Sequence, residues 1–368
     1  MDRRDFIKYG TVLAGVGGVC LLCKNGSVIF KENTADIKYP QMDTRPCLRP
    51  FVNLVLHNEG QVSPCCREFL KCDAGNIEKQ NLDEIWNGEI YTDLRQRILK
   101  GDYSMCNRDI CCMYMPGSVD EIPSDYKKGP KVFTISYDFE CNYRCITCRD
   151  TIITNTPQEM ALYENVYSPK IKKIIKNVEV INLLGSGDPL FSRYSRHFMS
   201  EIVKEKPDIK FLLCTNGFLL DEKNLTDIGI QNNILGILIS LNAVNRETYK
   251  KILRTDAFDR VMKNIELMAE WKKQGRIEWI RINFVTHLMN YKEMPDFVKL
   301  AQKLDITALF TVYRPWETAE YHKRYKEVAV FEPNNKHYKE LAEILHNPVF
   351  KDEKHCMLEP RLLSIVNS

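Results

Sequence analysis

131-KVFTISYDFECNYRCITCRD-150 opens with a short apolar run, Val132 to Tyr137, that reads as a buried strand. The strand leads straight into Cys141, Cys145 and Cys148, a Cys-x3-Cys-x2-Cys triplet. Cysteines this close cannot bridge one another without strain, and they are too many in one loop to be core filler. They can converge on one iron–sulfur cluster. A four-iron cluster ordinarily takes four cysteines, so three leave one iron open to another ligand.

The rest of the chain bounds this reading. At 368 residues it has room for one large domain and a smaller one. Apolar residues make up 44%, enough for a full core, which excludes a disordered protein. The net charge is only +3 and no basic block stands out, so no nucleic-acid partner is expected. Of 14 cysteines, 12 precede residue 150. A chain this long is not a small secreted disulfide scaffold, and the adjacent pairs Cys65-Cys66 and Cys111-Cys112 favour metal ligation.

Outward toward the N-terminus, Met115 to Pro130 is rich in Pro, Gly, Ser and charge and reads as a linker (117–130). Residues 41–116 read as a small cysteine-rich α+β module. A hairpin spans Phe51–His57 and Val62–Cys66, a helix begins near Asn81, and a second carries Leu94, Ile98 and Leu99 up to Gly101. Residues 1–40 hold an Arg3-Arg4 pair and an apolar run, Thr11 to Leu22, that is too short to span a bilayer. This segment resembles a twin-arginine export signal. The alternative is a short apolar helix that packs on the protein or tethers it to a membrane surface. Cys20 and Cys23 form an isolated C-x-x-C there.

Outward toward the C-terminus, strand-like runs alternate with amphipathic segments over 131–313: Val132–Tyr137, Val178–Leu184, Lys210–Cys214, Ile234–Leu241, Trp279–Val285 and Ala308–Val312. The longest amphipathic segment runs from Arg246 to Lys273. Six strand–helix repeats predict an α/β fold with a parallel sheet, whose active site lies at the strand C-terminal ends. The triplet follows the first strand and falls on that edge. Residues 314–368 read as a helical tail, able to form a lid or part of a substrate site; the isolated Cys356 reads as an ordinary cysteine, though it could also swing back to a cluster.

The Cys141, Cys145, Cys148 spacing resembles the radical SAM superfamily. The resemblance implies a partial (β/α)6 TIM-like barrel and a 4Fe–4S cluster whose fourth iron is chelated by S-adenosylmethionine. One electron then yields a 5′-deoxyadenosyl radical that abstracts hydrogen from a substrate. Thr147 stands where the family often has an aromatic. Gly185-Ser186-Gly187-Asp188-Pro189, after the second strand, is similar to the family's Gly-Gly-Glu-Pro segment, which holds the methionine amino group; Ser186 and Asp188 depart from it. Thr215-Asn216 ends the third strand, and Ser240-Leu241-Asn242 resembles the family's Ser-x-Asp near the SAM ribose and carboxylate. Arg254 is positioned in the sequence to pair with the SAM carboxylate, as a corresponding arginine does in some relatives, or to be a solvated helix residue. Asn283 and Thr286 are candidates to face the cavity.

The series CLRPFVNLVLHNEGQVSPCC, GNIEKQNLDEIWNGE and LRQRILKGDYSMC resembles the SPASM module, which usually follows the catalytic domain and here precedes it. The resemblance implies an auxiliary 4Fe–4S cluster at Cys47, Cys65, Cys106 and Cys111, with Cys66, Cys72 and Cys112 as spares or substitutes. Four cysteines would also satisfy a structural zinc. The implied partners are a peptide or protein, or a small-molecule substrate, and a low-potential donor of the flavodoxin or ferredoxin kind. Peptide or protein modification is the expected use, and oxidation of a small alcohol or sugar the alternative. A non-catalytic electron carrier is the rival from a different class; it would normally close its cluster with four cysteines. SAM and low-potential electrons are cytoplasmic supplies, so a cytoplasmic location is expected, with export through residues 1–40 as the alternative.

Overall fold

The computed structural model describes residues 47–67, 69–70, 72–107, 111, 122–184, 186–315 and 319–366. The expectations for residues 1–40, for Gly185, for Cys112 and for residues 117–121 of the linker lie outside these. Ten strands form one sheet in the order β10-β9-β8-β7-β6-β5-β4-β1-β2-β3, with β3 (Gly75–Asn76) at one edge. Six of them match the alternating runs: β4 (Val132–Ser136), β5 (Val180–Leu183), β6 (Lys210–Thr215), β7 (Ile234–Ser240), β8 (Trp279–Thr286) and β9 (Thr307–Val312). Consecutive members pair in parallel, as the repeats predict, and form the partial barrel that the family resemblance implies.

Burial alternates along these strands. Phe133, Ile181, Phe211, Ile237, Ile280, Ile282 and Phe284 are at most 1% exposed and pack under the crossover helices. The intervening positions Asn182, Leu212, Cys214, Leu238, Arg281 and Asn283 are half-buried and form the inner face. Hydrogen-bonded register aligns them across strands, Cys214 with Leu238 with Arg281, and Ser240 with Asn283 with Leu309. One face of each strand therefore builds the core, and the other lines the barrel interior.

Three features differ from the sequence expectation. First, the cysteine-rich module is not set apart from the barrel. Its hairpin, β1 (Asn53–His57) and β2 (Gln61–Ser63), joins the sheet, because β1 pairs in parallel with β4 from Asn53↔Val132 to His57↔Ser136. Leu54 and Leu56 then fall into the same core as Phe133 and Ile135. Second, the long amphipathic segment is two helices, Arg246–Leu253 and Phe258–Lys273, broken where Arg254 takes a left-handed φ of 53°. Third, the tail is not wholly helical. It contributes β10 (Cys356–Leu358), parallel to β9, and Cys356 is buried there in the core, where burial pushes its thiol up to about 12. The helices of the module stand where expected, Leu82–Trp86 and Glu89–Leu99. Asn81 caps the first, its N–H donating to Glu84 Oε2 at 2.8 Å.

Candidate active site

The loop after β4 is held on both sides. Cys141 N–H donates to Ile153 O at 3.0 Å, and a tight turn follows in which Cys148 and Arg149 N–H both donate to Cys145 O. Ile146 N–H reaches across to Ile252 O. At the loop's root Asp138 accepts from Asn155 Nδ2 at 2.9 Å and from the hydroxyls of Ser192 and Ser195. Glu140 Oε2 accepts from Arg193 N–H at 3.0 Å. Asp138, Glu140 and Asn155 were not singled out in the sequence; two acidic residues just before the triplet were the available signal.

Arg149 is the other residue that sequence reasoning missed. Its Nε donates to Cys148 Sγ at 3.3 Å, Nη1 to Phe139 O at 2.8 Å and Nη2 to Ser186 O. Burial opposes its charge, but the neighbouring Cys148, Cys141 and Cys145 sulfurs outweigh burial and hold its pKa raised. One cation thus lies among all three cysteines. The Cys141 and Cys145 thiols are pushed up by burial, Cys141 to about 12, against the pull of Arg149. Thr147 is buried within the loop.

The strand-end residues divide into braces and open positions. Gly187 packs against the triplet loop so closely that a Cβ would lie 2.5 Å from Glu140 O and 2.7 Å from Asp138 O. Ser186 Oγ donates to Ser136 O at 3.2 Å. The Asp188 carboxylate is fully engaged: Oδ1 accepts from the N–H groups of Leu190 and Phe191, and Oδ2 from Thr215 Oγ1 and Asn216 N, both at 2.8 Å. Burial raises its pKa and these hydrogen bonds oppose that. Asp188 therefore ties the second loop to the third. Asn216 Nδ2 donates to Asn142 Oδ1 at 2.8 Å and lies 4.0 Å from Cys141 Sγ, at the mouth of the triplet loop.

Asn242 takes a left-handed φ of 63°; its Oδ1 accepts from Val285 N–H at 2.8 Å and its carbonyl from Asn290 Nδ2 at 2.9 Å. It joins the ends of β7 and β8. Arg254 Nη1 donates to Asp150 Oδ1 at 2.8 Å, so its charge is spent on the triplet loop's exit. Asn283 and Ser240 face the inner side, whereas Thr286 points into the core, fully buried.

In the module, Cys47, Cys65, Cys106 and Cys111 line one apolar cavity with Arg49, Phe69, Leu70, Leu94 and Ile98. Burial raises the Cys47 and Cys65 pKa values and Arg49 opposes it at both, the same pairing of thiols with one arginine seen at Arg149. Cys66 and Cys72 pack at the edge of this cluster. A zinc site would draw its ligands to one point. Four cysteines around one cavity are the donor set that an iron–sulfur cluster takes.

Residues 139–312 match the Radical SAM superfamily, and residues 47–113 match the iron–sulfur cluster-binding domain SPASM. The chain carries a radical SAM domain preceded by a SPASM domain. The matched domains imply a 4Fe–4S cluster with SAM and an auxiliary iron–sulfur cluster as its cofactors. A GTP 3′,8-cyclase of Aliarcobacter butzleri is 31% identical over 136 residues, covering 36% of this chain and 41% of that protein. A probable GTP 3′,8-cyclase of Saccharolobus islandicus is 27% identical over 179 residues, covering 47% of this chain and 53% of that protein. The chain thus spans about half the length of these curated relatives. Streptococcus suis SuiB bound to S-adenosylmethionine aligns at a TM-score of 0.43 and 16% identity, over 75% of this chain and 62% of that one. Among the described residues no helix is long and apolar enough to cross a membrane.

Proposed function

We propose that this radical SAM enzyme modifies a peptide or protein side chain. Cys141, Cys145 and Cys148 hold the SAM-binding cluster, and Cys47, Cys65, Cys106 and Cys111 the auxiliary one. When bound, the first cluster and SAM supply a 5′-deoxyadenosyl radical. The chain's own residues do the rest. Arg149 offsets the negative charge of the thiolates, Asn216 borders the open side of the triplet loop, and Asp188 and Asn242 fix the loops around SAM. Ser186, Gly187, Thr215 and Ser240 line that binding edge, with Gly185 in the same loop by sequence. Arg254 supports it from the triplet loop's exit. A low-potential flavodoxin- or ferredoxin-like protein is the proposed reductant, and the cytoplasm the proposed location.

The observation that carries the peptide reading is the open mouth. The inner face stays half-exposed along the strands, and exposed apolar side chains ring the strand ends: Ile152 at 57%, Leu184 at 42% and Met289 at 37%. A segment of extended chain laid across these ends would cover them, as a compact polar metabolite would not. A nucleotide substrate is the second reading, favoured by Arg281 on the inner face, which meets no carboxylate among the described residues, and by the GTP 3′,8-cyclases among the relatives. The test is isotope transfer. Reduced, reconstituted protein with SAM is given either a uniformly deuterated peptide digest or deuterated GTP, and 5′-deoxyadenosine is analysed by mass. Deuterium gained from the digest is expected; deuterium gained from GTP instead would overturn the peptide reading.

A further inference from the structure

The inner face of the barrel carries one guanidinium in an unusual setting. Arg281 lies on β8 in register with Leu238 on β7 and Thr307 on β9, and it is half-buried. Arg246, Arg254, Arg260, Arg324 and Arg361 each meet a carboxylate. Arg281 meets none among the described residues. Its contact is with Trp279, whose ring centroid is 4.6 Å from the guanidinium carbon. Burial alone acts on its charge, lowering the pKa.

The neighbourhood is built to hold it there. The Trp279 indole lies flat across Gly236 on β7, where a Cβ would come within 2.2 Å of the ring. Gly236 makes the space, Trp279 fills it, and Arg281 stacks on the result. A side chain serving only as packing would be apolar, as Leu238 is at the same level. A guanidinium kept half out of water with no counter-charge is held ready for an anion.

We infer that Arg281, stacked on Trp279, binds an anionic group of the substrate, a carboxylate or a phosphate, on the floor of the chamber. The inference names a feature of the substrate at the site proposed above and rests on that reading. Arg281 stands two residues before Asn283, about 7 Å along the strand from the level of the SAM-binding loops. An anion fixed there places the rest of the substrate between the anchor and the triplet loop. The anchor suits an acidic side chain or C-terminus of a peptide, and equally a phosphorylated small molecule.

The test uses reconstituted holoprotein with SAM and needs no turnover, so it fails or succeeds independently of the deuterium experiment. Binding of inorganic phosphate is followed by phosphorus NMR line broadening and that of acetate by carbon NMR. Wild-type protein is expected to bind, and R281Q to bind about ten- to a hundredfold more weakly, the loss expected for a charge-assisted hydrogen bond. Phosphate binding that acetate does not displace assigns the site to a phosphate; displacement by acetate assigns it to a carboxylate. Circular dichroism and iron content check that each variant is folded. Should R281Q not fold, R281K and W279L carry the test, both with weakened binding. Unchanged affinity in the variants, or no binding by wild type up to roughly 50 mM, overturns the inference.

Discussion

Arg149 illustrates how a single side chain organises the candidate site. It joins the triplet loop to the second loop through Phe139 O and Ser186 O while lying beside the Cys148 sulfur. R149M would remove the hydrogen bonds to Phe139 O and Ser186 O and take the cation away from the sulfurs. A loss of about 1–3 kcal/mol in unfolding free energy is expected, read by urea denaturation, together with reduced iron retention. C145A probes the cluster itself. Iron content should fall from about eight to about four per chain, and 5′-deoxyadenosine formation should disappear. Eight irons persisting in C145A would exclude Cys145 as a ligand. The triplet's spacing made these cysteines legible in the sequence. Arg149 was not, because a lone arginine after a cysteine has no pattern until the loop folds it back onto the sulfurs.

At the scale of elements, the site is a set of loops locked to one another. Asp188 ties the loop after β5 to the loop after β6, and Asn242 ties β7 to β8. Gly187 lets the second loop lie directly on the backbone of the first. G187A puts a Cβ 2.5 Å from Glu140 O and forces the two loops apart. A destabilisation of about 2–4 kcal/mol is expected by urea denaturation, with weaker SAM binding by equilibrium dialysis. SAM affinity equal to wild type would show that the loop contact does not shape that site. The six barrel strands were legible because buried parallel strands are near-continuous apolar runs bounded by turns. The break at Arg254 was not. Apolar spacing continues across it, and only the pull of Asp150 and the turn geometry show that one helix ends there.

At the scale of the whole molecule, the auxiliary module is structurally part of the barrel's sheet. Deleting residues 47–113 would strip β1 from β4, exposing a strand edge and the core beneath Leu54 and Leu56. The shortened chain is expected to aggregate, which light scattering would show; a monodisperse, foldable barrel would contradict the shared sheet. Stability should also depend on pH. His57 and His287 are buried, and burial lowers both to about 3 from 6.5. The unfolded chain takes up protons that the folded one refuses. Each contribution is therefore full above pH 6.5 and lost as pH falls toward 3. The slope is about 1.4 kcal/mol per pH unit for each histidine. Urea unfolding across this range should show a shallower acid slope in H287Q; an identical slope would mean that His287 is not held neutral.

The sequence by itself determined the cysteine triplet, the order of six strands and the cysteine-rich module, because each depends on spacing within a few residues. Tertiary structure alone decided the pairing of β1 with β4, the engagement of the Asp188 and Arg254 charges, and the isolation of Arg281. These depend on which distant segments meet: Asn53 pairs with Val132, and Arg254 with Asp150, across stretches of chain over which local periodicity carries no information. The triplet loop supplies the sulfurs, but the neighbours that brace it, Ser186, Asp188 and Asn216, come from loops of other strands folded against it.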